Sequence, residues 1–265
     1  MSNLPAPVLS DDTPVLSDDS GVTFAGAGPG AAAHLTLGVW QALLAADVVI
    51  HDRLVGPEIL ALIPARALRV DVGKTGFGPS APQATINATL VAHAQTGARV
   101  VRLKGGDVGI FARLDEEIEA LEAAGIAFRI LPGLTSASVA AANIGQSLTR
   151  RGRNASLRIV TGHDMDGFAE QDWRGMGCPG AVTAVYMAKK SARFLQGRLL
   201  MHGAAPETPV TVVANVSRPD ECITAATLLT LHEAVADVDG PAIVLYGLAP
   251  RRASRTLTQF KEALA

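Results

Sequence analysis

A chain of 265 residues with 48% hydrophobic side chains has apolar material for a large core, in one domain or two. Its formal net charge of -2 supplies no global pull toward nucleic acid or an anionic membrane, and 4% aromatic residues are too few for a base-stacking platform. The two cysteines, Cys178 and Cys222, lie far apart and in no metal-ligand spacing, which argues against a disulfide scaffold or a metal site and fits the reducing cytoplasm.

The amino terminus repeats one unit, Pro7 to Asp12 and again Pro14 to Asp19. It lacks the basic-then-apolar pattern of a signal peptide, and no run in the chain is apolar over the length of a bilayer. Residues 1–20 read as a flexible acidic tail outside the fold.

From Val22 onward, short apolar runs alternate with helical patterns. Val22 to Ala25 predicts a strand ending at Gly26-Ala27-Gly28-Pro29-Gly30. Leu35 to Ala46 predicts a helix with Leu35, Val39, Ala42, Leu43 and Ala46 on one face. Strands follow at 47–50, 68–72 and 100–103, with a helix over about 83–95 before the last of these. The helix at 114–124 carries Leu114, Ile118 and Leu121 on one face and stops at Gly125. Ile126, Phe128 and Ile130 alternate along the next strand. This alternation predicts a mostly parallel sheet covered by helices.

The pattern weakens between Pro132 and Asn154, where Thr135 to Ile144 forms a small-residue helix and Arg150, Arg151, Arg153 and Arg158 crowd a polar stretch. Strands resume at 157–160, 182–186, 210–214 and 243–246, with another over 223–227. The expected class is therefore α/β, with two consecutive α/β domains and an active-site cleft between them. The expected bounds are 21–133 and 155–250, a linker at 134–154, and a helix or tail at 251–265.

Ligands of parallel sheets gather at the carboxyl ends of the strands. Three turns fall there: the glycine turn 26–30, His51-Asp52-Arg53-Leu54, and Lys104-Gly105-Gly106-Asp107. Gly26, Gly28 and Ala31 fit a dinucleotide fingerprint, with Asp52 where a ribose-binding acid would stand. Pro29 removes an N–H that such a turn would use on a pyrophosphate. A tight strand-to-helix turn is the structural alternative.

Order and spacing say more. Gly26 to Gly30, Leu35 to Leu37, Asp47 to Val55, Val72-Gly73-Lys74, Pro82-Gln83 with Ile86-Asn87, Val101 to Asp107, Pro132 to Ser136, Leu148-Thr149, Thr161 to His163 and Tyr186-Met187 run in sequence. Together they resemble the tetrapyrrole methylases over about Val22 to Leu248. Asp52-Arg53-Leu54-Val55 and Val72-Gly73-Lys74 point to the members that act on uroporphyrinogen III rather than to later precorrin methylases.

The resemblance implies a homodimer using S-adenosyl-L-methionine to methylate uroporphyrinogen III at two ring carbons, through precorrin-1 to precorrin-2, toward sirohaem or cobalamin. It places Pro29, Gly105, Gly106, Asp107, Ile110, Thr135, Ser136, Met187, Val216 and Ala242 at the cofactor. Asp52 and Lys74 fall on an acid-base pair, with Arg113 a rival that polarises the substrate. Glu116, Arg151 and His163 fall near the tetrapyrrole. Arginine suits such a substrate, because its fork matches carboxylates. A related acceptor, or tetrapyrrole binding without turnover, remains the alternative. The chain departs from the family's usual pattern at Val108, where proline is common, and at Ala112, Leu114 and Asp115, where glycines are. These changes are expected to loosen the loop and restrict its backbone. His51 stands where tyrosine is common, and Arg150 where histidine is.

Overall fold

The computed structural model describes residues 21–73, 82–164 and 167–251. The tail at 1–20, Lys74 and the segment from 252 onward lie outside the described residues.

The first part runs β1 (Gly21–Gly26), α1 (Leu37–Ala45), β2 (Val48–His51), α2 (Pro57–Leu60), β3 (Leu68–Asp71), α3 (Gln83–Ala94), β4 (Arg99–Lys104), α4 (Leu114–Ala123) and β5 (Phe128–Leu131). Its five strands form one parallel sheet in the order β3-β2-β4-β1-β5. Thr36 starts α1 by accepting the Val39 N–H, and Val39, Ala42, Leu43 and Ala46 then bury one helix face. α1 and α2 cover one side of the sheet, and α3 and α4 the other, where Leu90 and Leu121 are fully buried. The helices that leave β1 and β4 therefore lie on opposite faces of neighbouring strands. That is a topological switch point, and it opens a crevice at their carboxyl ends.

The second part contains α5 (Ser136–Asn143), β6 (Arg158–Thr161), the hairpin β7 (His163–Asp164) and β8 (Gly167–Phe168), α6 (Trp173–Gly177), β9 (Thr183–Tyr186), α7 (Ala192–Met201), β10 (Pro209–Ala214), β11 (Cys222–Thr227), α8 (Leu231–Ala234) and β12 (Ala242–Tyr246). A second sheet orders them β11-β10-β12-β9-β6. Only β6 and β9 pair in parallel; the other pairings are antiparallel. For β10 and β11 the cause is loop length. Only residues 215–221 join β10 to β11, too few for a parallel crossover. α5 packs on one face through Ala137, Ala140 and Ile144. Trp173, Leu195, Leu199 and Leu231 from α6, α7 and α8 fill the other.

Every strand read from the sequence is present within two residues of its expected bounds. The elements not foreseen are short or weakly patterned: α2, the β7–β8 hairpin, α6, α7 and α8. In α7 a central Gly197 lowers helix propensity. Among the described residues, no helix is long and apolar enough to cross a membrane.

Close backbone packing at the crevice gives a stability test. A β-carbon on Gly133 would meet the Gly106 carbonyl oxygen at 2.4 Å, whereas nothing lies within 4 Å of one on Gly197. Gly133→Ala is expected to lower the unfolding free energy by about 3 kcal/mol, and Gly197→Ala to raise it by about 0.5–1 kcal/mol. Urea unfolding of the two variants checks both signs.

Candidate active site

The three turns foreseen at the strand ends meet. Gly28 and Gly106 exchange backbone hydrogen bonds, 3.0 Å from the Gly28 N–H and 2.7 Å from the Gly106 N–H. The Ala27 N–H donates to the Lys104 carbonyl at 2.8 Å. These N–H groups hold the turns to each other, so the glycine turn does not present them to a ligand as its sequence suggested. Gly26 lies against Gly133 and Gly106 so closely that its β-carbon would stand 2.5 Å from the Gly133 nitrogen. Gly105 is likewise pressed on Leu54, and Gly73 on Arg53.

Asp107 staples the crevice. One carboxylate oxygen accepts the Gly109 N–H at 2.8 Å and the other the Gly133 N–H at 2.9 Å. It ties the loop after β4 to the chain leaving β5. Asp52 sits half-buried at the end of β2 and caps its own turn by accepting the Leu54 N–H at 2.9 Å.

The second sheet brings its rim to the same place. The Ala31 N–H donates to the Ser217 hydroxyl at 3.0 Å, and Arg218 donates to the Leu54 carbonyl at 2.8 Å. Tyr186, at the end of β9, bonds the Thr135 hydroxyl, accepts the Ala137 N–H at 3.1 Å and packs 5.4 Å from the Phe111 ring. Burial pushes the Tyr186 phenol's pKa up, although its hydrogen bonds oppose this. Ala242 begins β12 beside Ala214, the last residue of β10, so it lies on this rim too.

Backbone strain collects here. Phe111, Arg113, Met187, Asn215 and Ser217 are the described non-glycine residues with positive φ, between 49° and 59°. Each costs about 1–2 kcal/mol. All five lie in loops after β4, β9 and β10. Strain concentrated in this way marks functional loops.

Beneath the rim lies a buried ionic cluster that the sequence reading missed. Glu117, 1% exposed, accepts from Arg102 at 3.0 and 3.1 Å, from Lys104 at 2.5 Å and from Gln83 at 3.3 Å. Burial drives the Lys104 ammonium's pKa down and the Arg102 charge adds to this, while Glu117 pulls it back up. Gln83 also bonds Asn87, whose amide donates to the Glu116 carbonyl at 2.9 Å, so α3 is clamped to α4. A signal was present: Glu117 falls on the apolar face of α4, three residues after Leu114 and four before Leu121.

A family model for the tetrapyrrole (corrin/porphyrin) methylases matches residues 21–232. The chain belongs to the tetrapyrrole methylases. Among curated relatives, the siroheme synthase of Edwardsiella ictaluri (strain 93-146) is 44% identical over 227 residues, 85% of this chain and 49% of that protein. The siroheme synthase of Escherichia coli O139:H28 (strain E24377A / ETEC) is 41% identical over 226 residues, again 85% and 49%. The chain thus spans about half the length of the curated relatives it matches. Among solved structures, the uroporphyrin-III C-methyl transferase of Thermus thermophilus complexed with S-adenyl homocysteine is 33% identical, with a TM-score of 0.74 over 86% of this chain and 97% of that one. A cobalt precorrin-4 methyltransferase reaches 0.76 at 23% identity over 86% and 95%, a likeness of fold.

In this methylase the residues expected at the cofactor cluster well. Pro29, Gly105, Gly106, Asp107, Thr135, Ser136, Met187, Val216 and Ala242 lie on the loops that meet at the crevice, and Ile110 follows Asp107 with its N–H bonded to the Asp107 carbonyl at 3.3 Å. The substituted loop avoids the restriction expected of it. The left-handed positions are Phe111 and Arg113, and none of Ala112, Leu114 and Asp115 has a positive φ. Val108 is buried and anchors the loop where proline is usual.

The expected substrate residues are more dispersed. Arg113 and Glu116 are exposed and paired with each other at 2.6 Å. Two arginines of the basic stretch have structural partners: Arg153 holds Asn154 and the Ser147 carbonyl, and Arg158 pairs with Asp172. That leaves Arg150 and Arg151, exposed on a turn beside an open hollow of about 570 Å³ lined by residues 149–155. His163 is half-buried, 5.0 Å from the Phe168 ring, and its buried Nε2 has no partner among the described residues. Cys178 and Cys222 are free and exposed.

The buried cluster and the exposed pair should respond differently. Glu117→Ala leaves two buried cations without their carboxylate and is expected to cost about 3–5 kcal/mol. Arg113→Gln breaks only an exposed pair and should leave the unfolding midpoint nearly unchanged. Equal effects in urea unfolding would contradict the assignment of Glu117 as the inner support.

Proposed function

We propose that this chain transfers methyl groups from S-adenosyl-L-methionine to uroporphyrinogen III at two ring carbons, through precorrin-1 to precorrin-2, releasing S-adenosyl-L-homocysteine. The observation that carries the reading is the meeting of two strand-end rims at the crevice, with Asp107 stapled across it and five strained residues around it. Family membership and the Thermus thermophilus relative's complex with S-adenyl homocysteine support it.

The cofactor lies against Pro29, Gly105 to Asp107, Ile110, Thr135, Ser136, Met187, Val216 and Ala242 in this proposal. The half-exposed Met187 side chain supplies an apolar surface. The electron-rich ring carbon attacks the methyl group, the methyl–sulfur bond breaks, and its electron pair stays on sulfur. A proton then leaves the macrocycle. Asp52 and Lys74 handle that proton, and Arg113, released from Glu116, polarises the acceptor. The loops contribute chiefly alignment and exclusion of water. Arg151, Glu116 and His163 bind the tetrapyrrole, with Arg151 facing its carboxylates.

We further propose that the two sheets are separate domains divided within 134–154, that the chain acts as a cytoplasmic homodimer, and that its product leads to sirohaem or cobalamin. The relatives named as siroheme synthases favour the first of these two products.

Incubation with S-adenosyl-L-methionine and uroporphyrinogen III should add the mass of two methyl groups to the substrate. No mass gain would contradict the proposal, and gain only on a later precorrin would reassign the acceptor. Arg151→Ala should raise KM for the tetrapyrrole by about tenfold, the worth of one charge-assisted contact, while S-adenosylhomocysteine affinity stays within about twofold.

A further inference from the structure

One half-buried carboxylate lies behind the cofactor loops and has no part in the chemistry above. Glu221 follows the strained loop after β10. A single oxygen of its side chain accepts the Ser217 N–H at 2.5 Å and the Asn143 amide at 2.6 Å. The other oxygen is buried and has no partner among the described residues. Ser217 in turn passes the contact on, since its hydroxyl accepts the Ala31 N–H at 3.0 Å.

Three separate segments of the crevice therefore converge on Glu221. Ala31 belongs to the chain leaving the glycine turn that holds Pro29. Asn215 and Ser217, with φ of 49° and 59°, flank Val216. Asn143 ends α5, which begins at Ser136 after the cap residue Thr135. Asn143, Asn215, Val216 and Ser217 are all at most 7% exposed, so solvent cannot replace these bonds.

Two consecutive loop turns of this kind do not hold themselves. Left-handed backbone at non-glycine residues persists only where its surroundings over-determine it. Asp220 holds Asn215 through its side-chain amide at 2.8 Å, and Glu221 holds Ser217 through its backbone N–H. We propose that Glu221 is a positioning residue for the cofactor site, setting the Val216 loop and, through Ser217, the glycine turn. This rests on the function proposed above, because the site it positions is the S-adenosylmethionine crevice.

Burial raises the Glu221 carboxyl's pKa, against the opposing bonds from Ser217 and Asn143. A raised folded-state value means that the protonated form suits the fold better. That share of stability is complete below the ordinary carboxylate range and is lost as pH rises through the raised value. The charged neighbours on its own loop are Asp220, held by Asn215, and Arg218, held by the Leu54 carbonyl; α5 carries no charged residue. Glu221→Gln keeps an accepting oxygen and cannot ionise, so its melting temperature should gain on the wild type as pH rises.

The test is calorimetric titration of the full chain with S-adenosylhomocysteine, with a thermal melt of every variant. Glu221→Ala and Ser217→Ala should each weaken binding about tenfold, the worth of one buried contact. The double variant should be little weaker than the poorer single, since both cut one chain of contacts. Glu221→Gln should bind within about threefold of the wild type, the spread expected when the accepting oxygen is kept. If Glu221→Ala does not fold, Glu221→Asp, which draws the accepting oxygen back by one methylene from the Ser217 N–H, decides in its place and should weaken binding where Glu221→Gln does not. Unchanged affinity in Ser217→Ala, simple additivity in the double variant, or Glu221→Gln as weak as Glu221→Ala would overturn the inference. A wild type that fails to bind S-adenosylhomocysteine would overturn the proposed function as well; binding with unaffected variants overturns this inference alone.

Discussion

Backbone crosses backbone at Gly26 and Gly133 with no room for a side chain on either, and the Gly106 carbonyl lies against both. The chain ends leaving β1 and β5 can approach this closely only because both glycines lack a β-carbon, while Gly106 supplies the left-handed backbone after β4. Everything at the crevice follows from that contact. It lets Gly28 and Gly106 pair, and it brings Gly133 within reach of Asp107. Gly30 repeats the device at the junction with the second sheet, where its would-be β-carbon stands 2.5 Å from Arg218 and 2.9 Å from the Val216 carbonyl. The glycines thus build the walls of the crevice, and the strained residues lie in the loops around them.

The charges divide in a similar way. Arg102, Lys104 and Glu117 sit below the rim, sealed from water, and clamp α3 and α4 to the sheet. Two cations against one carboxylate leave a positive excess under a site proposed for a polyanionic macrocycle. Asp52 lies near enough to act on Lys104 and offsets part of it. At the surface, Arg150 and Arg151 are exposed while Arg153 and Arg158 shape their own surroundings. A chain with a net charge of -2 thereby concentrates cationic character locally.

Much of this was legible beforehand. β1 is a near-continuous apolar run between glycines and β2 one between Asp47 and Asp52, so their existence and ends could be read directly. The turns at 26–30, 51–54 and 104–107 could be ranked as site-forming because a parallel sheet presents strand ends together. Other features depend on tertiary contact and left no local trace. Phe111 and Met187 adopt left-handed backbone with side chains that do not favour it. Tyr186 bridges to Thr135, 51 residues earlier in the chain. The antiparallel character of the second sheet was written in the seven-residue link 215–221, but only if β11 is taken as a firm strand. The contacts of Arg153 with Ser147 and Asn154, and of Arg158 with Asp172, are likewise hidden in a sequence that shows only their charge.

The most direct test of the central claim is an experimental structure of this chain with S-adenosylhomocysteine. The account predicts the ligand in the crevice, against the 105–110 loop, Thr135 and Met187, with the Gly28–Gly106 pair and the Asp107–Gly133 bond unbroken. A ligand bound elsewhere, for instance at the amino ends of β1, β4 and β5, or one that parts Gly28 from Gly106 to enter, would contradict it.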